Sequence, residues 1–141
     1  MARILVTNMN NVKLDDAIKA KIITWMNLGH HILVFNWDQN LQRFLASYRY
    51  KNVTVYYNSN ENSLYHSLDI RAIELGWGIK DIQLDGNKTA YLIKNKSILS
   101  DCDVIMLLRN SVAALKSCFD KLTAKGKKIL IRTDGAWVLY D

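Results

Sequence analysis

The chain has 141 residues, half of them apolar, and a net charge of +6, with a pI near 9.3. That length suits one domain with one sizeable core, and the apolar content excludes a disordered tail. No apolar run approaches the ~20 residues of a membrane span, and the N-terminus lacks a signal-peptide pattern, so a cytoplasmic protein is expected, in a cell or in an infected host.

The basic balance favours anionic partners without saying which kind. Cys102 and Cys118 are the two cysteines, and both fall in apolar patterns. Neither forms a CxxC pair, so they read as small buried hydrophobes rather than as a zinc site or a disulfide.

The first element in chain order is the β-rich run "RILVT" at 3–7, which reads as a buried strand. From Leu14 the period becomes helical. Leu14, Ala17, Ile18, Ile22 and Trp25 share a face, Asp15 and Asp16 suit the positive end of the dipole, and Gly29 can end the helix. "ILVF" at 32–35 is a second strand. Asp38 opens a helix with Leu41, Phe44 and Leu45 on one face.

"NVTVYY" at 52–57 is a third strand, followed by the polar loop "NSNEN" at 58–62. Residues 63–75 suit a helix ending at Gly76, with Trp77 and Gly78 making its exit irregular. After the loop at 84–89, a helix is expected to about Ser100. "DVIMLL" at 103–108 is the most apolar strand. Ser111 can cap the next helix, with Val112, Leu115, Cys118, Phe119 and Leu122 inside and Gly126 at its end. "KILIR" at 128–132 is a fifth strand, and "AWVLY" at 136–140 adds a short sixth.

Strands that are continuous apolar runs, alternating with helices, imply a parallel sheet covered on both faces. Right-handed crossovers leave few topologies. The expectation is one Rossmann-like domain over 1–141, with strand order 3-2-1-4-5 and helices on both faces. Ligands of such sheets bind beyond the carboxyl ends of the strands, where strand order reverses. Here that point lies between the first and fourth strands.

The flanking loops hold Asn8, Asn36, Trp37, Asp38, Arg109, Asn110 and Ser111, the expected ligand-binding residues. The asparagines both donate and accept hydrogen bonds. Trp37 can stack on a base, and Arg109 can pair with phosphate as a planar fork. Ser111 opens a helix whose free N–H groups attract anions. The ordinary alternative is that Asn and Asp serve the turns themselves and Ser111 only caps its helix.

The stretch "WDQNLQRFLASYRYKNVTVYY" resembles a segment of bacterial and phage proteins of the SLOG superfamily. That Rossmann-like group includes the cytokinin-activating LOG enzymes, the DNA-processing protein DprA and sensors of TIR-derived nucleotide signals. The matching positions are Asp38, Gln42, Leu45 and residues 50–56. Weaker echoes fall at Asn62, Asp69 and Arg71, and at Lys94, Cys102 and Asp103. The departures bear on function. Asn36 and Trp37 stand where the family has glycines, "RNSVAALKS" replaces the glycine steps after the fourth strand, and the Gly-rich motif with the catalytic Glu is absent. A Cβ at each position blocks the closest approach of backbone to phosphate.

The resemblance implies binding of a nucleotide-derived small molecule without turnover. In a phage-type member it further implies sequestration of a nucleotide immune signal in the host cytoplasm. Dimerisation is expected from the superfamily and from the many apolar residues. One rival is an enzyme of the same fold that cleaves an N-glycosidic bond, with Asp38, Asp69 or Asp134 as acid/base or nucleophile. Another is a protein-binding module with a dead ligand site, acting through its basic or aromatic surface.

No catalytic residue is assigned, and no cofactor or metal is implied. His30 and His31 adjoin the second strand at its amino end and face opposite ways. His66 and Asp69 lack a third partner. No GxSxG, P-loop or HExxH sequence occurs. The lysine-rich run at 116–128 reads as a solvated helix face. Nucleic-acid binding is only weakly suggested by the charge; Arg43, Tyr48, Arg49 and Tyr50 come closest to the required mix of cations and rings.

Overall fold

The computed structural model describes residues 2–8, 12–58, 70–82, 100–108, 123, 126–133 and 135–140. Its strands are β1 (Arg3–Asn8), β2 (His31–Phe35), β3 (Val53–Asn58), β4 (Gly78–Ile82), β5 (Val104–Leu108), β6 (Lys128–Thr133) and β7 (Ala136–Tyr140). They form one seven-stranded sheet in the order β4-β3-β2-β1-β5-β6-β7. Every pairing is parallel except that of β6 with β7. The helices among the described residues are α1 (Asp16–Asn27), α2 (Gln39–Ser47) and the short α3 (Arg71–Glu74).

The order corrects the expected 3-2-1-4-5. A strand at Gly78–Ile82 extends the sheet beyond β3, and the last strand returns antiparallel to β6. "GIKDI" carries no apolar run, because an edge strand has less side-chain surface to bury; of its residues only Ile82 is buried. A strand that exposes Ile79 and Asp81 and sets Lys80 between them reads as loop from sequence. Gly78 fits there because a Cβ would meet the Thr54 hydroxyl at 3.1 Å.

α1 forms as its sequence predicts and starts slightly later. Asp15 is its N-cap, accepting the N–H of Ile18 at 2.9 Å. The helix ends where Gly29 takes a φ of 76°, a left-handed conformation that suits glycine. Its buried face is Ile18, Ile22 and Trp25. With Leu41, Leu45 and Ala46 of α2 and Ala72 of α3, these pack on Ile4, Val6, Ile32, Val34, Val53, Val55, Met106 and Leu108 of the sheet. The described helices therefore share one face. The opposite face holds Leu5, Leu33, Phe35, Tyr56, Ile105, Leu107, Ile129 and Ile131, also buried. The helices expected at 89–100 and after Ser111 fall largely outside the described residues. So does most of the helix expected at 63–75.

Tyr56 donates to Asp101 at 2.8 Å, and Lys80 reaches the same carboxylate oxygen at 2.7 Å. Burial, then the bond to Asp101, push the Tyr56 phenol up. Burial opposes ionisation of Asp101, yet Lys80 and Tyr56 hold its carboxyl below the usual value. This group ties β3 and β4 to the residues that lead into β5.

Core truncation should follow burial. Ile22→Ala is expected to cost about 2–5 kcal/mol, against well under that for its half-exposed neighbour Ile23→Ala. Urea unfolding of the two variants checks this.

Candidate functional site

β1 pairs with β2 on one edge and with β5 on the other. The chain thus changes direction across the sheet beside β1, and the carboxyl ends of β1, β2, β5 and β6 form one rim. Among the described residues, four polar side chains are buried: Thr7, Asn36, Asp38 and Gln42. All four gather on this rim, at the ends of β1 and β2 and the start of α2.

Gln42 is wholly buried, and its Nε2 donates to the carbonyl oxygens of Phe35 at 3.3 Å and Asn36 at 3.0 Å. The Asn36 N–H donates to Tyr56 at 2.9 Å, and the Asp38 N–H to Phe35 at 3.0 Å. The turn after β2 is thus held by a side chain rather than shaped by glycine. Asp38 takes the N-cap position of α2, but its carboxylate makes no capping bond there. A capping residue that leaves the helix uncapped has a side chain directed to other contacts.

Trp37 stacks flat on Phe35, with centroids 4.4 Å apart and planes within 4°. Phe35 in turn meets the Tyr56 ring at 5.7 Å. The expected base-stacking ring is therefore part of an aromatic row that closes over the second face of the sheet. Asn8 also has a local task. Its amide donates to the Val12 carbonyl at 2.7 Å and accepts the Val12 N–H at 2.8 Å, tying the end of β1 to the residue that leads toward α1. Thr7, beside it, has a hydroxyl without a hydrogen-bond partner among the described residues. Arg109, Asn110 and Ser111, and the alternative acids Asp69 and Asp134, lie outside the described residues.

Sequence reasoning missed one pair of residues on this rim. Arg132 reaches Asp15 with Nη2 at 3.2 Å and Nε at 3.4 Å. It also donates to the Gly135 carbonyl at 2.9 Å and lies over the Trp137 ring at 4.9 Å. The Ile18 N–H holds the Asp15 carboxyl below its usual value; burial opposes this, and Arg132 adds to it. The anion at the N-terminus of α1 is thus the protein's own carboxylate. Asp15 was visible as a helix-start signal, but its partner lies across the sheet and leaves no local trace.

The amino rim is also polar, and its side chains hydrogen-bond one another and nearby backbone. His30 accepts the Ala2 N–H at 3.1 Å; His31 bonds Asn52 through Nδ1 and Thr54 through Nε2, the latter at 2.7 Å. Tyr50 donates to the His30 carbonyl, and Trp77 to that of Tyr50 at 2.7 Å. Both histidines thus help to fasten this rim. Cys102 is buried, and burial pushes its thiol up to about 11, which suits a packing residue rather than a nucleophile. Among the described residues no three His, Cys, Asp or Glu side chains are grouped to hold a metal ion, and no helix is long and apolar enough to cross a membrane.

Comparison of the chain with protein-family models, with curated proteins and with solved structures gives no match.

Two variants probe the rim. Gln42→Leu removes the side-chain donor from the Asn36 carbonyl and leaves that of Phe35 to the Asp38 N–H, and is expected to cost about 1–3 kcal/mol in urea unfolding. Asp15→Ala should cost about 1 kcal/mol near neutrality through loss of the cap. Because the Asp15 pKa is lowered on folding, its contribution is present above the unfolded value and fades as pH falls below about 4. The Asp15→Ala penalty should therefore shrink between neutral and strongly acidic unfolding experiments.

Proposed function

We propose that the protein binds a nucleotide-derived small molecule at the carboxyl rim of its sheet and holds it without turnover. What carries this reading is the collection of Thr7, Asn36 and Asp38, buried and polar around a turn fixed by Gln42, beside the strand where the order reverses. Buried polar side chains are costly, and their grouping at the expected ligand edge of an α/β sheet favours a binding role over a packing one. The proposal treats the chain as a divergent Rossmann-like member of the SLOG superfamily, of phage type and acting in the host cytoplasm.

The residues assigned to the ligand are Asn36 and Asp38 from the turn after β2, with Trp37 as an apolar wall. Arg109, Asn110 and Ser111 follow β5, which adjoins β1, and are assigned the anionic part. Asn8 shapes the approach through its turn. The N-glycosidase alternative needs an acid placed against a second catalytic group; of its candidate acids, Asp69 and Asp134 lie outside the described residues.

Incubation with a panel of mononucleotides, dinucleotides and cyclic adenosine-diphosphate-ribose derivatives tests the reading. Denaturation of the washed complex should release intact ligand. Release of a cleaved base would instead establish catalysis, and absence of any bound compound would leave a protein-binding role. Arg109→Ala and Asp38→Ala should each weaken binding about ten- to a hundredfold, as the loss of a charge-assisted contact does. The melting temperature of Arg109→Ala should stay within a few degrees.

A further inference from the structure

Beside the carboxyl rim, the entry and first turn of α1 and the outer side of α2 border an open trough of about 340 Å³, lined by Lys13, Leu14, Lys19, Asn40, Arg43, Phe44 and Ser47. Asn40, Arg43, Phe44 and Ser47 recur at the spacing of one helix face, so α2 supplies one continuous wall. The entry to α1 supplies the other. No carboxylate lines the trough, and Lys13, Lys19 and Arg43 have no ion pair among the described residues. Leu14 and Phe44 form an apolar floor, half-buried and packed against the core.

We infer that this trough docks an acidic peptide segment of a partner protein, with an aliphatic side chain seated between Leu14 and Phe44. Charge selects an anion, since Lys13, Lys19 and Arg43 line one trough whose lining holds no carboxylate, the nearby Asp15 being held by the Ile18 N–H and Arg132. Shape selects a peptide. Lys13, Asn40, Arg43 and Ser47 are exposed and no lining residue is buried, so the trough cannot enclose most of a small ligand as small-molecule sites do. A peptide laid along two helices gains instead from length, in the manner of helix-in-groove recognition. The floor points the same way. Phe44 meets Tyr48 edge to face, at 5.1 Å and 64°, and is packed below, so it offers an anchor for an aliphatic group rather than the open stacking platforms that single-stranded nucleic acid uses.

A labelled short peptide of glutamates and leucines in helical repeat, followed by fluorescence anisotropy at low salt, tests this on the intact chain. Binding should weaken at least about tenfold for the double variant Lys19→Glu, Arg43→Glu, and weaken with added salt. The neutral variant Lys19→Gln, Arg43→Gln should weaken it less, and serves if charge reversal impairs folding. Replacing the peptide leucines by serine should also weaken it about tenfold. Equal binding by wild type and both variants would overturn the assignment, as would absence of binding. Equal binding of the serine peptide would overturn the apolar anchor, and tighter binding of oligothymidylate than of peptide would reassign the trough to nucleic acid. Loss of rim ligand binding in Arg109→Ala leaves the peptide result unchanged, so the two sites fail separately.

Discussion

A strand hydrogen-bonded in parallel on both edges leaves neither edge open to solvent, and stable packing requires both of its faces to be covered. β1 is in that position, between β2 and β5. Ile4, Leu5 and Val6 are at most 1% exposed, and they alternate between the two apolar clusters. With every lateral direction used, polar chemistry is displaced to the two rims of the sheet, where strands give way to turns. Parallel connectivity then decides which rim is which. Each crossover leaves at a carboxyl end and returns at an amino end, so the helices that follow β1 and β2 begin on one rim with their unsatisfied N–H groups directed there.

The rims have opposite characters. At the amino rim, His30, His31, Asn52, Tyr50 and Trp77 hydrogen-bond one another or nearby backbone, which fastens the loops before β1, β2 and β4. That rim resembles a staple. At the carboxyl rim the polar side chains are more deeply buried, and Gln42 spends its amide on two carbonyls of the β2 turn. A turn built this way has a fixed shape without glycine. It also carries side chains at Asn36, Trp37 and Asp38, where a glycine turn would expose backbone. On the proposed reading a ligand there meets side chains rather than backbone, with the poorer phosphate grip that this entails.

The central strands were legible because burial on both faces turns them into unbroken apolar runs, as at 3–7, 32–35 and 103–108. The first helix was legible from Ile18, Ile22 and Trp25. β4 was not, since Lys80 and Asp81 interrupt any run that would mark it, and without it the strand order came out short. In the candidate site, Asn36, Trp37 and Asp38 were located by the end of their strand. Trp37 lies in the turn after β2, closed by the Asp38 N–H on the Phe35 carbonyl, so its stacking on Phe35 needed coordinates, and from sequence it read as an opening for a base. Gln42 was noticed by its place in a resembling segment, while its clamp on two carbonyls needed coordinates. The Arg132–Asp15 bond joins residues 117 positions apart, beyond any local pattern.

That bond alters what the rim can hold. In dinucleotide-binding sheets the first helix offers bare N–H groups to a pyrophosphate. Here Asp15 occupies the N-terminus of α1, with Arg132 as its counterion. A phosphate brought to the same place meets a carboxylate, and must either displace it from the Ile18 N–H or bear the repulsion. Arg132 offers no easy exchange, because it is also held by the Gly135 carbonyl and the Trp137 ring. On the proposed reading, the neutral part of a nucleotide-derived ligand therefore suits the α1 side, where Asn8 and Asn36 lie nearby. Its anionic part suits the β5 side, where Arg109 follows the strand. On that same reading a turn without glycine and the Asp15 cap act together, and recognition rests on side chains rather than on backbone and helix dipole.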